Sequence, residues 1–168
     1  MIFNENQRSI VEQLKYLIEN RERPEQKFVM NLCEAFGGHI LTSFIGMGGT
    51  RIVITHPFKD GVLKIAFNED GIKGNEDEFK TFQEASTELK SMLGKTGDMF
   101  EGGIFLEMDY YEPIPEEDFD NYAEALAELL KKVEFIFYQD PPYFHSFGTE
   151  NGKLILIDYG ETEQIKIL

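Results

Sequence analysis

A lysine set inside an aliphatic run, Val62-Leu63-Lys64-Ile65-Ala66, constrains this chain more than any other stretch. The run follows Gly61 and has the length and apolar content of a buried strand. Burying an ammonium there is costly unless an opposite charge meets it. Two readings of Lys64 stand side by side. Either it lies at a sheet edge and snorkels to water, or a carboxylate holds it and it contacts a phosphate. A second aliphatic run, Leu154-Ile155-Leu156-Ile157, rises from the turn at Asn151-Gly152 and ends in Asp158, Tyr159 and Gly160. Such a strand delivers the Asp158 carboxylate to its end, where it can face a metal or a phosphate. Asp140 stands 18 residues upstream.

Around these two runs the periodicity alternates between helix and strand. Residues 6–20 repeat Ile10, Leu14 and Leu17 at helical spacing, and Pro24 opens a second helix that Gly37-Gly38 stops. Residues 40–45 and 51–54 read as strands. Between them, Gly46-Met47-Gly48-Gly49-Thr50 is a hairpin turn, or a loop that lets phosphates approach backbone N–H groups. Residues 75–93 read as a helix with Asn75 as N-cap. Glu78 is the one acid near its apolar face. That position suits a partner for Lys64, and the three-residue spacing from Asn75 suits a capping box. Residues 98–100 and 103–108 read as strands, and 116–133 as a helix with Phe119, Tyr122, Leu126 and Leu129 on one face. The order of elements is that of an α+β fold.

Charge and cysteine content narrow the function. There are 16 Lys+Arg against 31 Asp+Glu, a net charge of −15. That balance argues against a nucleic-acid partner and for a solvated surface or a basic protein partner. Between Lys95 and Lys131 stand eleven acids and no Lys or Arg, a solvated face or a docking surface. The single Cys33 leaves no internal disulfide and suits a reducing cytoplasm. No run approaches membrane-spanning length, and Met1 to Asn6 has no basic region of a secretion signal.

Placed in order, these pieces resemble the protein-kinase fold. Gly46-Met47-Gly48-Gly49-Thr50-Arg51-Ile52-Val53 is similar to the family's G-x-G-x-x-G-x-V loop, with Arg51 in place of the third glycine. Lys64 matches the third-strand lysine, and Glu78 lies on the next helix, where the family places its partner acid. Phe105-Leu106-Glu107-Met108 resembles the strand entering the hinge that binds adenine. Tyr138-Gln139-Asp140 stands for H-R-D, His145 for the metal-binding asparagine, and Asp158-Tyr159-Gly160 for D-F-G. The H-R pair is absent and no A-P-E follows.

The resemblance implies an N-lobe of antiparallel sheet plus helix over residues 39–112. It also implies an abbreviated helical C-lobe over 113–168, with residues 1–38 as a helical extension. The chain looks like a minimal or degenerate form, such as occurs among phage and bacterial effector proteins. The implied ligands are ATP and Mg²⁺. Gly46, Gly48 and Gly49 would cradle phosphates, Lys64 would contact the α- and β-phosphates, and Glu78 would orient Lys64. Glu107 and Met108 would meet adenine. Asp158 would hold Mg²⁺ with His145 beside it, although imidazole suits softer metals. Asp140 would accept a proton from the acceptor hydroxyl. Three functions compete. The first is a phosphotransferase acting on a protein, the second a pseudokinase that binds nucleotide or acts by contact alone. The third is an acidic inhibitor that occupies a basic partner.

Overall fold

A computed structural model describes residues 3–36, 38–135, 146–159 and 165–167. The chain divides into two compact units, residues 1–76 with 97–109 and residues 77–96 with 110–168. Both mix helix with antiparallel strands, so the α+β class is observed.

The first unit is a five-stranded antiparallel sheet backed by two helices. Its strands are β1 (Phe44–Met47), β2 (Arg51–Thr55), β3 (Val62–Ala66), β4 (Thr96–Phe100) and β5 (Phe105–Met108), in the order β1-β2-β3-β5-β4. Residues opposite one another in an antiparallel ladder share a face. The pairs Ile52↔Ile65, Ile54↔Leu63 and Ile65↔Phe105 therefore put five apolar side chains on one side. Helices α1 (Glu5–Asn20) and α2 (Gln26–Ala35) cover that side with Ile10, Val11, Leu14, Val29, Leu32 and Phe36. Asn4 and Gln7 close α1 in a reciprocal capping box, with bonds of 2.9 and 3.1 Å. Phe100 and Phe105 stack at 5.1 Å beside Phe3 and Phe36. Helices α1 and α2, which lie within residues 1–38, thus supply part of the first unit's core.

Two element assignments change. Residues 40–43 form a short helix, α3 (Ile40–Ser43), ahead of β1. The strand expected over 40–45 is shortened because His39 caps this turn. Its Nδ1 accepts from Leu41 N–H at 3.3 Å, and its carbonyl accepts from Thr42 and Ser43. The helix expected over 75–93 begins earlier and breaks. It is α4 (Glu69–Glu84), followed by α5 (Thr87–Lys90). Asn68 starts α4 by accepting from Gly71 N–H at 2.8 Å, and Ser86 restarts the chain by accepting from Leu89 N–H. Gly71 and Gly74 precede the helix expected from residue 75, yet they lie inside α4. A Cβ on Gly71 would stand 2.3 Å from the Thr50 carbonyl oxygen, so glycine there permits close packing of helix on sheet.

The second unit takes the latter half of α4 and all of α5. It adds β6 (Glu112–Pro113), a 3₁₀ segment (Glu116–Tyr122), α6 (Ala123–Lys132), β7 (Val133–Phe135), β8 (Phe147–Glu150), β9 (Lys153–Leu156) and β10 (Ile165–Ile167). Strands β6, β8 and β9 form one antiparallel sheet, and β7 pairs with β10. Asn151 and Gly152, both at positive φ, make the tight hairpin between β8 and β9. The helix expected over 116–133 is 3₁₀ for its first two turns. Phe119, Tyr122 and Leu126 are half-buried and Leu129 is buried, as their spacing suggested.

Candidate functional site

In the first unit, the face of the sheet opposite α1 and α2 carries the basic residues. Val53↔Lys64↔Leu106 is one rung of the ladder, and Arg51↔Ala66 lies on the same face two residues away. Lys64 is only 5% exposed, on a strand flanked by β2 and β5. The reading of Lys64 as an edge lysine reaching water is thereby excluded. Asn75 accounts for much of the local order. It is wholly buried on α4, its Oδ1 accepts from Arg51 at 3.3 Å, and its Nδ2 meets the carbonyls of Gly103 (2.8 Å), Ile104 (3.2 Å) and Lys64 (3.4 Å). Asn75 therefore ties helix to sheet. It is not an N-cap, and the capping box with Glu78 does not form because α4 begins six residues earlier, at Glu69.

The glycine-rich segment is a hairpin turn, closed by Gly48 N–H donating to the Arg51 carbonyl at 2.9 Å. Asn68 and Phe67 fasten it to the start of α4 through the carbonyls of Gly49 (3.4 Å) and Thr50 (3.1 Å). Among the described residues, and chain neighbours aside, no atom lies within 4 Å of where a Cβ on Gly46, Gly48 or Gly49 would stand, and none of the three has positive φ. Neither backbone conformation nor packing among the described residues requires glycine at these three positions. An incoming group that needs close approach to the backbone would require it.

Glu107 and Met108 lie on the interior strand β5, opposite Leu63 and Val62. The Glu107 carboxylate is engaged by three donors. His56 Nε2 lies 3.0 Å from Oε1, the Asp98 N–H donates to Oε2 at 3.2 Å, and the Lys59 ammonium bonds Oε2. His56 Nδ1 accepts from Phe58 N–H at 3.1 Å, so Nε2 carries the proton it gives to Glu107. Burial alone pushes the Glu107 carboxyl up. The Lys59 ammonium, the Asp98 N–H and the His56 ring outweigh burial and hold it below its usual value. His56 and Lys59 carried no sign of this role in the sequence beyond their place in one turn.

In the second unit, the Asp158 segment is fixed by its neighbours. Leu156 exchanges backbone bonds with Met92 (2.9 Å) and Gly94 (2.7 Å), and the N–H groups of Ile157 and Asp158 donate to the Ser146 carbonyl at 2.8 and 3.2 Å. Tyr159 is held at both ends. Its N–H donates to Glu78 Oε1 at 3.3 Å, and its hydroxyl donates to the Gly94 carbonyl at 2.7 Å. Glu78 is wholly buried, as its place on the helical wheel suggested. Tyr159 is buried, and the Asp158 side chain next to it is exposed. Lys64 belongs to the first unit and Glu78 to the second. Asp140, His145 and Gly160 lie outside the described residues.

Among the described residues no three His, Cys, Asp or Glu side chains converge as a metal site. An exposed aspartate still fits Mg²⁺, which takes one or two carboxylates and completes its shell with water and phosphate oxygens. No described helix is long and apolar enough to cross a membrane. No protein-family model matches the chain, and no curated protein is significantly similar to it.

Proposed function

We propose that this chain is a minimal protein-kinase-like protein that binds ATP with Mg²⁺ and transfers phosphate to a protein. The observation that carries the reading is three glycines, Gly46 in β1 and Gly48 and Gly49 in the turn after it, that packing among the described residues does not require. That turn joins β1 to β2, and on β3 beside β2 stands a buried lysine. In this reading Gly46, Gly48 and Gly49 admit the phosphates, and Lys64 neutralises their charge. Glu78 orients Lys64, and Glu107 and Met108 mark the strand next to adenine. Bound Mg²⁺ would neutralise phosphate charge, with Asp158 as its protein ligand and His145 nearby. Asp140 takes the proton of the acceptor hydroxyl. Phosphoryl transfer asks the protein mainly for such positioning and charge.

Thermal shift with ATP, with and without Mg²⁺, tests the proposal. Ligand at a hundred times its dissociation constant adds about 2.7 kcal/mol of stability. Asp158→Ala should remove the Mg²⁺-dependent part, and Lys64→Ala should weaken the response to nucleotide. Gly48→Ala should leave the unliganded protein as stable as before, or more so by about 0.4–1 kcal/mol, while blunting the response. A wild-type protein unmoved by Mg-ATP sinks the proposal, as does full Mg²⁺ dependence in Asp158→Ala.

One observation favours a second reading, an acidic inhibitor that acts by contact. Glu116, Glu117, Asp118, Asp120, Glu124 and Glu128 are all exposed. Glu107, which belongs to the same acidic run, is buried and takes no part. Exchanging Glu116, Glu117, Asp120 and Glu124 for lysine should leave folding intact, since each exposed site contributes within about 0.5 kcal/mol. It should also abolish salt-sensitive binding of a lysine-rich peptide. Binding that survives the exchange removes this reading.

A further inference from the structure

We propose that a cavity in the first unit binds an oligophosphate chain as its Mg²⁺ complex, at a place apart from Lys64. The cavity measures about 420 Å³, within the range of about 300–1,000 Å³ usual for small-ligand sites. Its apolar lining is Phe67, part of the core beneath α1 and α2, and Ile18, packed against that core. Ile52, Ile54, Leu63 and Ile65 of the same core share the sheet face opposite Lys64. An occupant of the cavity is therefore not the group that Lys64 would meet.

The rest of the lining is charged. Arg21 and Arg23 come from the end of α1 and the connection after it, Glu69 and Asp70 from the first turn of α4, and Glu22 adds a third acid. All five are exposed, and among the described residues none of their side chains is hydrogen-bonded or ion-paired, not even to one another. Charges of both signs that line one cavity without neutralising each other are open to a ligand that carries both. Arg21 adds a second argument. It ends α1 at φ 55°, the left-handed conformation that favours glycine. A side chain there costs stability, and no described residue offsets that cost by pairing with the guanidinium.

The mixture of charges selects the ligand. A guanidinium fork matches two oxygens of one phosphate, and two arginines suit a chain of several. The three carboxylates would repel a bare phosphate chain. Mg²⁺ removes that conflict, because it takes one or two carboxylates and fills its shell with phosphate oxygens and water. Gly49 lines the same cavity and has open space where a Cβ would stand, so phosphates can lie against its backbone. A small zwitterion with one charge of each sign would leave most of the five charged groups unmatched.

Titration calorimetry on the full chain with inorganic triphosphate, with and without Mg²⁺, reads the site. Arg21→Gly and Arg23→Ala should each weaken binding of Mg-triphosphate by about tenfold or more, the loss of one charge-assisted contact. Arg21→Gly should do so while melting at or above the wild-type temperature, which a structural role for Arg21 does not predict. Glu69→Gln with Asp70→Asn should remove the dependence on Mg²⁺. The arginine-dependent binding should persist in Lys64→Ala. ATP run beside triphosphate separates two sources of such a chain. Tighter ATP marks a nucleotide and equal affinities a free oligophosphate, and each supports the site when the arginine variants abolish it. A wild-type protein that does not bind Mg-triphosphate overturns the proposal, as does unchanged binding in both arginine variants. Binding lost in Lys64→Ala but kept in both arginine variants overturns it too, and assigns the phosphates to the Lys64 face.

Discussion

Asn75→Ala is expected to destabilise the protein by about 3 kcal/mol or more, the cost of leaving several buried polar groups without partners. The amide nitrogen of Asn75 serves the carbonyls of Lys64, Gly103 and Ile104, and its oxygen receives the Arg51 guanidinium. The side chain is wholly buried, so water does not replace it without local opening. Asn75→Asp separates a hydrogen-bonding role from mere volume. It keeps the shape and the Arg51 acceptor but turns a donor into an acceptor against three carbonyls. It should destabilise at least as much as alanine. Urea unfolding at neutral pH measures both, and a loss under about 1 kcal/mol in either variant would show that the carbonyls find other donors.

Glu107→Gln is expected to cost about 2 kcal/mol at neutral pH, because the ion pair with Lys59 is lost and one of two accepting oxygens, which meet His56, Lys59 and the Asp98 N–H, becomes an NH₂ donor. The pH dependence carries a definite sign. The folded carboxyl titrates below its ordinary value of 4.5, so its ionised form is stabilised by folding. That contribution is fully present above 4.5 and is lost as pH falls from there through the lower folded value. The difference between wild type and Glu107→Gln should therefore shrink steadily below 4.5. Urea titrations at neutral pH and at about pH 3 read the change. An equal difference at both would mean that Glu107 acts through packing and not through its charge.

Much of the architecture was legible in the residues. Helical spacing in Ile10, Leu14 and Leu17 placed α1, and the aliphatic runs placed β2, β3 and β9. The wheel position of Glu78 pointed to a buried acid, and the residue is wholly buried. Local patterns of this kind are strong because each depends on neighbours within a few residues. Other features were invisible for the opposite reason. Gly71 and Gly74 lie ahead of the helix expected from residue 75, and only the approach of α4 to the Thr50 carbonyl explains Gly71 inside a helix. Asn75 looks like an N-cap, and only Lys64, Gly103 and Ile104 converging on it give it its role. Residues 40–43 look like a strand until His39 caps them.

By itself, then, the sequence determined the apolar faces, the turn at Asn151-Gly152, and which charged residues would be costly to bury. Those follow from side-chain chemistry and period alone. Tertiary structure decided which partners offset the cost. Glu107 is assigned to His56 and Lys59, and Tyr159 to Glu78 and Gly94, through contacts that span from 48 to 81 residues of chain. A buried polar group must find a partner, but hydrogen-bond chemistry does not say where along the chain that partner lies.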